Sequence, residues 1–133
     1  MATQTVKVFR NKSFTRFANK AGITDADLRK CINDADRGLI DADLGGDVIK
    51  QRIARPGQGK SGGFRAIIII HLGERAFFVH GFAKNELANI TQNELIALRL
   101  LAVDLLAYSD EELKAAVDQG VFTEVSNEET VSE

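Results

Sequence analysis

Residues 64–71 read Phe-Arg-Ala-Ile-Ile-Ile-Ile-His, the most apolar stretch of the chain. A strand alternates its side chains between two faces, so four consecutive isoleucines place apolar groups on both. We therefore expect a central strand that is covered on both sides. A second apolar run, Ala76–Phe82, follows after Gly73, and a third, Val48–Ile53, comes earlier in the chain. We expect the stretch before it, Asp41–Asp47, to be an irregular link. Three apolar runs at short spacing predict an antiparallel meander.

Helical patterns lie on either side of this meander. A short strand is expected at Val6–Phe9 and a helix at Asn11–Ala21, and Thr24 is suited to cap a second helix. Thr91–Glu94 and Ser109–Glu112 are capping boxes, which open two further helices. The predicted fold class is α+β, in the order β-α-α-β-β-β-α-α. An N-terminal helical hairpin and C-terminal helices would pack on a small antiparallel sheet.

The length of 133 residues favours a single domain. We expect that domain to span residues 1–125, and residues 126–133, which are polar and acidic, to form a disordered tail. The N-terminal residues lack the apolar region of a signal peptide, and no apolar run is long enough for a membrane span. These features predict a cytoplasmic protein. The single cysteine, Cys31, excludes an internal disulfide and is expected to be a buried structural thiol.

The charge of the chain is unevenly distributed. Residues 44–99 carry eight basic and four acidic side chains, a net charge of +4. Residues 100–133 carry one basic and nine acidic side chains, a net charge of −8. A basic middle in a net-acidic chain favours a face that binds a polyanion. The alternative is that this charge only keeps the surface solvated.

Six of the cations in or beside the predicted meander are candidate site residues: Lys50, Arg52, Arg55, Lys60, Arg65 and Lys84. Strand alternation puts Lys50 and Arg52 on one side of their strand, about 7 Å apart. If Arg65 shares that face, the three side chains can reach one phosphodiester. The competing interpretation is an ordinary solvated sheet face. His80 has the same strand parity as Lys84, so it is a candidate proton carrier, although a structural histidine is the more common case.

Two other kinds of site are not supported. Residues 54–61, Ala-Arg-Pro-Gly-Gln-Gly-Lys-Ser, loosely match the phosphate-binding loop of nucleotide triphosphatases. That loop must lead into a helix, and here an apolar strand follows. The two histidines and single cysteine form no metal-ligand pattern, so we expect neither a metal nor another cofactor.

Three segments together resemble one protein family: VKVFRNKSF from residue 6, VIKQRIARPGQGKSGGFRAIIII from residue 48, and FFVHGFAKNELANIT from residue 77. They are similar to the RelE/HigB toxins of type II toxin–antitoxin systems, within the RelE/ParE superfamily, and most to a HigB-like branch carrying GKSGGFR. The likeness spans roughly residues 5–120. It implies a RelE-like fold and a metal-independent, ribosome-dependent mRNA endonuclease that inhibits translation. The implied partners are a cognate antitoxin, mRNA and the ribosome. No membrane partner is expected.

The resemblance also implies roles for single residues. Arg65 matches the arginine that contacts the scissile phosphate, Lys50 and Arg52 match basic positions on the second strand, and Lys84 matches the basic position at the end of the last strand. Asn85 and Thr91 stand where relatives often carry an arginine and a tyrosine. The proton-transfer role is therefore open.

Lys84, Lys60 and His80 are the candidates for that role. Two other functions also stay open. One is that of the non-nucleolytic ParE-type toxins, which bind DNA gyrase on the same scaffold. The other is a catalytically degenerate RNA- or protein-binding relic.

Overall fold

The isoleucine-rich run lies in the interior of a six-stranded sheet. The computed structural model describes residues 6–53, 63–83 and 90–125. The strands and helices follow one another along the chain as β1 (Lys7–Asn11), α1 (Lys12–Ala21), α2 (Asp25–Asp36), β2 (Ala42–Gly45), β3 (Val48–Ile53), β4 (Phe64–His71), β5 (Arg75–Ala83), α3 (Gln92–Ala107), α4 (Asp110–Asp118) and β6 (Phe122–Glu124). Across the sheet the strands lie in the order β2-β3-β4-β5-β1-β6.

The predicted meander is confirmed. β3 pairs antiparallel with β4, and β4 pairs antiparallel with β5. All four isoleucines of β4 are buried, and they alternate between two hydrophobic cores. Ile68 and Ile70 belong to the core under α1 and α2, while Ile67 and Ile69 belong to the core under α3 and α4. Both faces of the central strand are thus covered, as its composition predicts.

The helix starts follow from their capping residues. Asn11 accepts a hydrogen bond from the backbone N–H of Phe14 and caps α1. Thr24, Thr91 and Ser109 each form a complete capping box at the start of α2, α3 and α4. These bonds satisfy N–H groups that a helix start leaves without intrahelical partners.

Two parts of the predicted topology are wrong. The sheet is mixed rather than antiparallel, because β1 pairs parallel with β5. It also contains two strands that the sequence patterns do not indicate, β2 and β6. Positive φ angles at Gly45, Gly46 and Asp47 turn the expected irregular link back onto β3 as a hairpin. β6 has only three residues and pairs with β1, so its existence depends on a distant partner rather than on local pattern.

The C-terminal half of the chain contributes the longest helix. α3 has 16 residues, and its solvent face carries Ile96, Leu100 and Val103. Within the part of the chain that the structure describes, no helix is long and apolar enough to span a membrane. Residues 126–133, the expected tail, lie outside the described residues.

Candidate nucleic-acid interface

Strand alternation gathers three basic side chains on one face of the sheet. Val48 belongs to the core under α3 and α4, so Lys50 and Arg52 point to the same side of β3. Ile67 belongs to that core too, so Arg65 points to the same side of β4. The predicted common face for Lys50, Arg52 and Arg65 therefore exists. We call the side of the sheet that carries these three residues the cationic face. His80 also belongs to it.

The strand register puts Arg65 in the middle of this face. Arg65 lies directly opposite Arg52 on one side and Phe82 on the other. Lys50 and His80 both lie opposite Ile67, two residues further along β4. Lys50 and His80 are therefore diagonal neighbours of Arg65, with backbones roughly 7–8 Å from it. The register thus brings Arg52, Lys50 and His80 to neighbouring positions around Arg65.

A β-bulge brings His80 to this face. The register between β4 and β5 shifts at Ile67 and Ile68, which lie opposite His80 and Phe78. Val79 is the extra residue, and it belongs to the core under α3 and α4. Without the bulge, His80 would point to the opposite face, since Phe78 already does. Bulges commonly redirect a side chain in this way beside functional sites.

The surroundings of Arg65 differ from those expected of an exposed strand arginine. Only 9% of the residue is exposed. Its Nε lies 3.5 Å from Oδ2 of Asp41, and its Nη1 donates a 3.3 Å hydrogen bond to the carbonyl of Phe64. The charge of Arg65 is largely withdrawn from water, so the residue needs this counterion.

The other polar groups of the cationic face are more accessible. Arg52 and His80 are exposed, and Lys50 is half-buried. The His80 ring lies beside that of Phe82, with ring centres 5.9 Å apart. Guanidinium and ammonium groups beside an imidazole are groups suited to anion binding and proton transfer.

Three predicted site residues, Arg55, Lys60 and Lys84, lie outside the described residues, as does Asn85. Ile53 at the end of β3, Phe64 at the start of β4 and Ala83 at the end of β5 are paired across one edge of the three strands. Ile53, Phe64 and Ala83 therefore lie at the end of the sheet that carries Arg52 and Arg65.

Two residues of this region were missed by the sequence patterns: Asp41, the counterion of Arg65, and Gln51. Gln51 is buried on the opposite face of β3, between Lys50 and Arg52 in sequence. Its Oε1 accepts a hydrogen bond from the backbone N–H of Asp41. The sequence did hold a signal for Gln51, because it lies between Ile49 and Ile53 on the apolar face of β3. A polar amide at such a position is buried and needs hydrogen-bond partners.

Cys31 is a structural neighbour of this site rather than a part of it. It is 2% exposed, and its Sγ donates a 3.5 Å hydrogen bond to the carbonyl of Arg52. Burial raises the pKa of the Cys31 thiol far above its ordinary value. A thiol that stays protonated is a poor nucleophile, so the prediction of a buried structural cysteine is confirmed.

Comparison with known proteins adds one match. A family model described as "RelE toxin of RelE / RelB toxin-antitoxin system" matches residues 6–125, which include every strand and helix above. No curated protein matches the chain. Because the family match covers nearly the whole sequence, the chain belongs to the RelE toxin family of toxin–antitoxin systems.

Proposed function

We propose that this RelE-family toxin is an endoribonuclease that cuts mRNA on the ribosome without a metal ion and so inhibits translation. One observation carries the proposal: Lys50, Arg52 and His80 surround Arg65 on one face of a rigid sheet. A toxin that acts only by binding another protein has no need for a convergent phosphate site. Cleavage of RNA requires one.

The reaction needs little from the protein besides charge and proton transfer. The 2′-oxygen of a ribose forms a bond to the adjacent phosphorus, and the bond from phosphorus to the 5′-oxygen of the next nucleotide breaks. The 2′-hydroxyl loses a proton, and the departing 5′-oxygen gains one. The products are a 2′,3′-cyclic phosphate and a 5′-hydroxyl. Negative charge grows on the phosphoryl oxygens in the transition state, where fixed cations stabilise it most.

The cations of the cationic face suit this charge. In the proposal, Arg65 binds the scissile phosphate at two points, which its planar guanidinium allows and an ammonium group does not. Arg52, directly opposite, binds the same or the next phosphate. Lys50 contributes positive charge from the neighbouring position on β3. Their places on paired strands keep them in position at small entropic cost.

Proton transfer is assigned to His80. Its imidazole is exposed on the cationic face, diagonal to Arg65, and a histidine can accept or donate a proton near neutral pH. Lys84 and Lys60 are the other candidates named by sequence, and both lie outside the described residues. Because the reaction moves two protons, a second group can act as acid or base beside His80.

Membership of the RelE family implies a cognate antitoxin as partner. We propose that an acidic or amphipathic segment of that antitoxin covers the cationic face. Complementary charge both guides such an association and specifies it. An antitoxin bound there would block RNA and neutralise Arg52 and Lys50 in one step.

The test uses paired charge removals of equal size. The double variant Lys50→Ala/Arg52→Ala removes two cations from the cationic face. The control Lys12→Ala/Arg16→Ala removes two exposed cations from α1, which packs on the opposite face of the sheet. Each protein is induced in cells with and without a co-expressed cognate antitoxin, growth is followed, and transcript 5′ ends are mapped.

We expect wild type and the α1 control to arrest growth and to produce new 5′ ends within coding sequences. The Lys50→Ala/Arg52→Ala protein should do neither, and the antitoxin should suppress both effects in wild type. Growth arrest by wild type without new 5′ ends would contradict the proposal. A gyrase-binding toxin would then be the better account, and DNA supercoiling measured in the same cells would identify it.

A further inference from the structure

Arg65 is held by a carboxylate that lies two strands away. Asp41 immediately precedes the edge strand β2, whereas Arg65 lies on β4, with β3 between them. The Arg65 side chain is 11% exposed and that of Asp41 29%, so their 3.5 Å contact is largely shielded from water. We infer that Asp41, fixed by Gln51, is a positioning residue that aims the Arg65 guanidinium at the scissile phosphate. The inference rests on the proposed RNA cleavage.

Gln51 fixes the backbone that carries Asp41. It is 3% exposed, and its Oε1 accepts from the Asp41 backbone N–H at 2.9 Å. Its Nε2 donates to the carbonyls of Leu39 at 2.8 Å and Cys31 at 3.2 Å. The buried amide thereby ties the middle of α2 and the segment before β2 to β3. β3 thus presents Lys50 and Arg52 on one face, and its Gln51, on the other face, holds the backbone of Asp41.

The contacts of Arg65 leave one edge of its guanidinium available. Nε faces Asp41, and one N–H of Nη1 is used by the carbonyl of Phe64. Among the described residues, Nη2 has no partner. A guanidinium anchored at Nε and Nη1 cannot rotate freely about its long side chain. Its remaining N–H groups therefore keep one direction, which is the condition for two-point binding of a phosphate.

The charge balance explains why the anchor is a carboxylate. Arg52 lies directly opposite Arg65, and like charges in that relation repel. A buried arginine without a counterion would be costly in the RNA-free protein. Asp41 neutralises Arg65 before RNA binds and, among the described residues, leaves Nη2 of Arg65 without a partner. It acts through Arg65 and need not touch RNA.

The experiment replaces the charge but keeps the shape. Asp41→Asn is compared with Asp36→Asn, which removes an equal charge from the exposed end of α2. Gln51→Met tests the fixing amide while the Asp41 carboxylate remains, and Asp41→Glu tests rescue by a longer carboxylate. For each purified protein we would measure kcat and KM for cleavage of mRNA in programmed ribosomes. Thermal unfolding and the NMR signal of the Arg65 Nε–H, assigned with Arg65→Lys, would report folding and anchoring.

We expect Asp41→Asn and Gln51→Met to lower kcat roughly tenfold or more, with KM within about threefold of wild type. The Arg65 Nε–H signal should shift and exchange faster with solvent in both. Asp41→Glu should restore part of kcat, and Asp36→Asn should match wild type.

Two results would overturn the inference while wild type still cuts RNA. One is an Asp41→Asn protein with unchanged kcat and an unchanged Arg65 signal. The other is an Asp41→Asn protein that binds RNA more tightly and cuts faster, which would make Asp41 a competitor of phosphate. No cleavage by wild type would instead overturn the proposed function, and with it the catalytic meaning of Asp41.

Discussion

Arg52 and Arg65 lie directly opposite each other on neighbouring strands, on the same face of the sheet. Opposed residues of an antiparallel pair have Cβ atoms about 4.5–5.5 Å apart, and like charges at that distance repel. Among the residues that the structure describes, one carboxylate, that of Asp41, lies against Arg65. The site therefore has more positive than negative charge at its centre, and a bound phosphate would complete it. Such a pair is expected where anion binding matters more than the stability of the protein without ligand.

The first prediction separates activity from stability at Arg52. Arg52→Ala should lower the rate of mRNA cleavage at least tenfold, because it removes one of the three cations of the cationic face. Its free energy of unfolding should stay within about 0.5 kcal/mol of wild type, since the side chain is exposed. Cleavage assays and urea unfolding measure the two quantities, with Arg16→Ala on α1 as control. Equal losses of activity in both variants would argue against a local role.

The second prediction concerns the Asp41–Arg65 pair. Arg65→Ala should destabilise the protein by about 1–3 kcal/mol, because it leaves a partly buried carboxylate without its partner. The double variant Asp41→Ala/Arg65→Ala should lose less than the two single variants together, by at least about 0.5 kcal/mol. Urea unfolding of the four proteins gives the coupling. Additive losses would show that the contact does not contribute to folding.

The third prediction concerns salt. If three cations of the cationic face neutralise RNA phosphates, the logarithm of the association constant should fall with the logarithm of salt concentration, with a slope of about −2. Arg52→Ala should reduce the slope by about 0.7. Filter binding to single-stranded RNA, or to ribosomes programmed with mRNA, measures this. Association that does not change with salt would exclude a phosphate-reading face.

The fourth prediction follows from the raised pKa of Cys31. The folded protein keeps the thiol proton at a pH where the unfolded chain, with an ordinary pKa of about 8.5, has lost it. The resulting stability is fully present below that pH and is lost as the pH rises toward the folded-state pKa. Urea unfolding between pH 7 and 10 should therefore show a steeper decline for wild type than for Cys31→Ala. Parallel curves would contradict the burial of the thiol.

Local patterns were enough to predict the central parts of this fold. The isoleucines of β4 and the capping residues Thr24 and Thr91 act on their own segments, so their consequences can be read from sequence. The pairing of β6 with β1 joins residues more than a hundred positions apart. The three residues of β6 are too few to show a strand pattern in the sequence.

The same distinction applies to the site. The common face of Lys50 and Arg52 follows from strand alternation. The position of His80 depends on a bulge, and the burial of Arg65 depends on Asp41, which reaches it only because the segment before β2 folds against β3. Both are tertiary features with weak local signals. The sequence therefore predicted that Lys50, Arg52 and Arg65 share a face, but not how Arg65 is held.

The most direct test of RNA cleavage centred on Arg65 uses purified protein and defined ribosomes. Wild type and Arg65→Lys are incubated with mRNA-programmed ribosomes and, separately, with the same RNA alone, and the new RNA ends are characterised chemically. We predict cleavage by wild type on the ribosome, with 2′,3′-cyclic phosphate and 5′-hydroxyl ends, and a rate reduced at least tenfold in folded Arg65→Lys, whose ammonium group cannot bind phosphate at two points. Undiminished cleavage by folded Arg65→Lys, or no cleavage by wild type, would contradict the account.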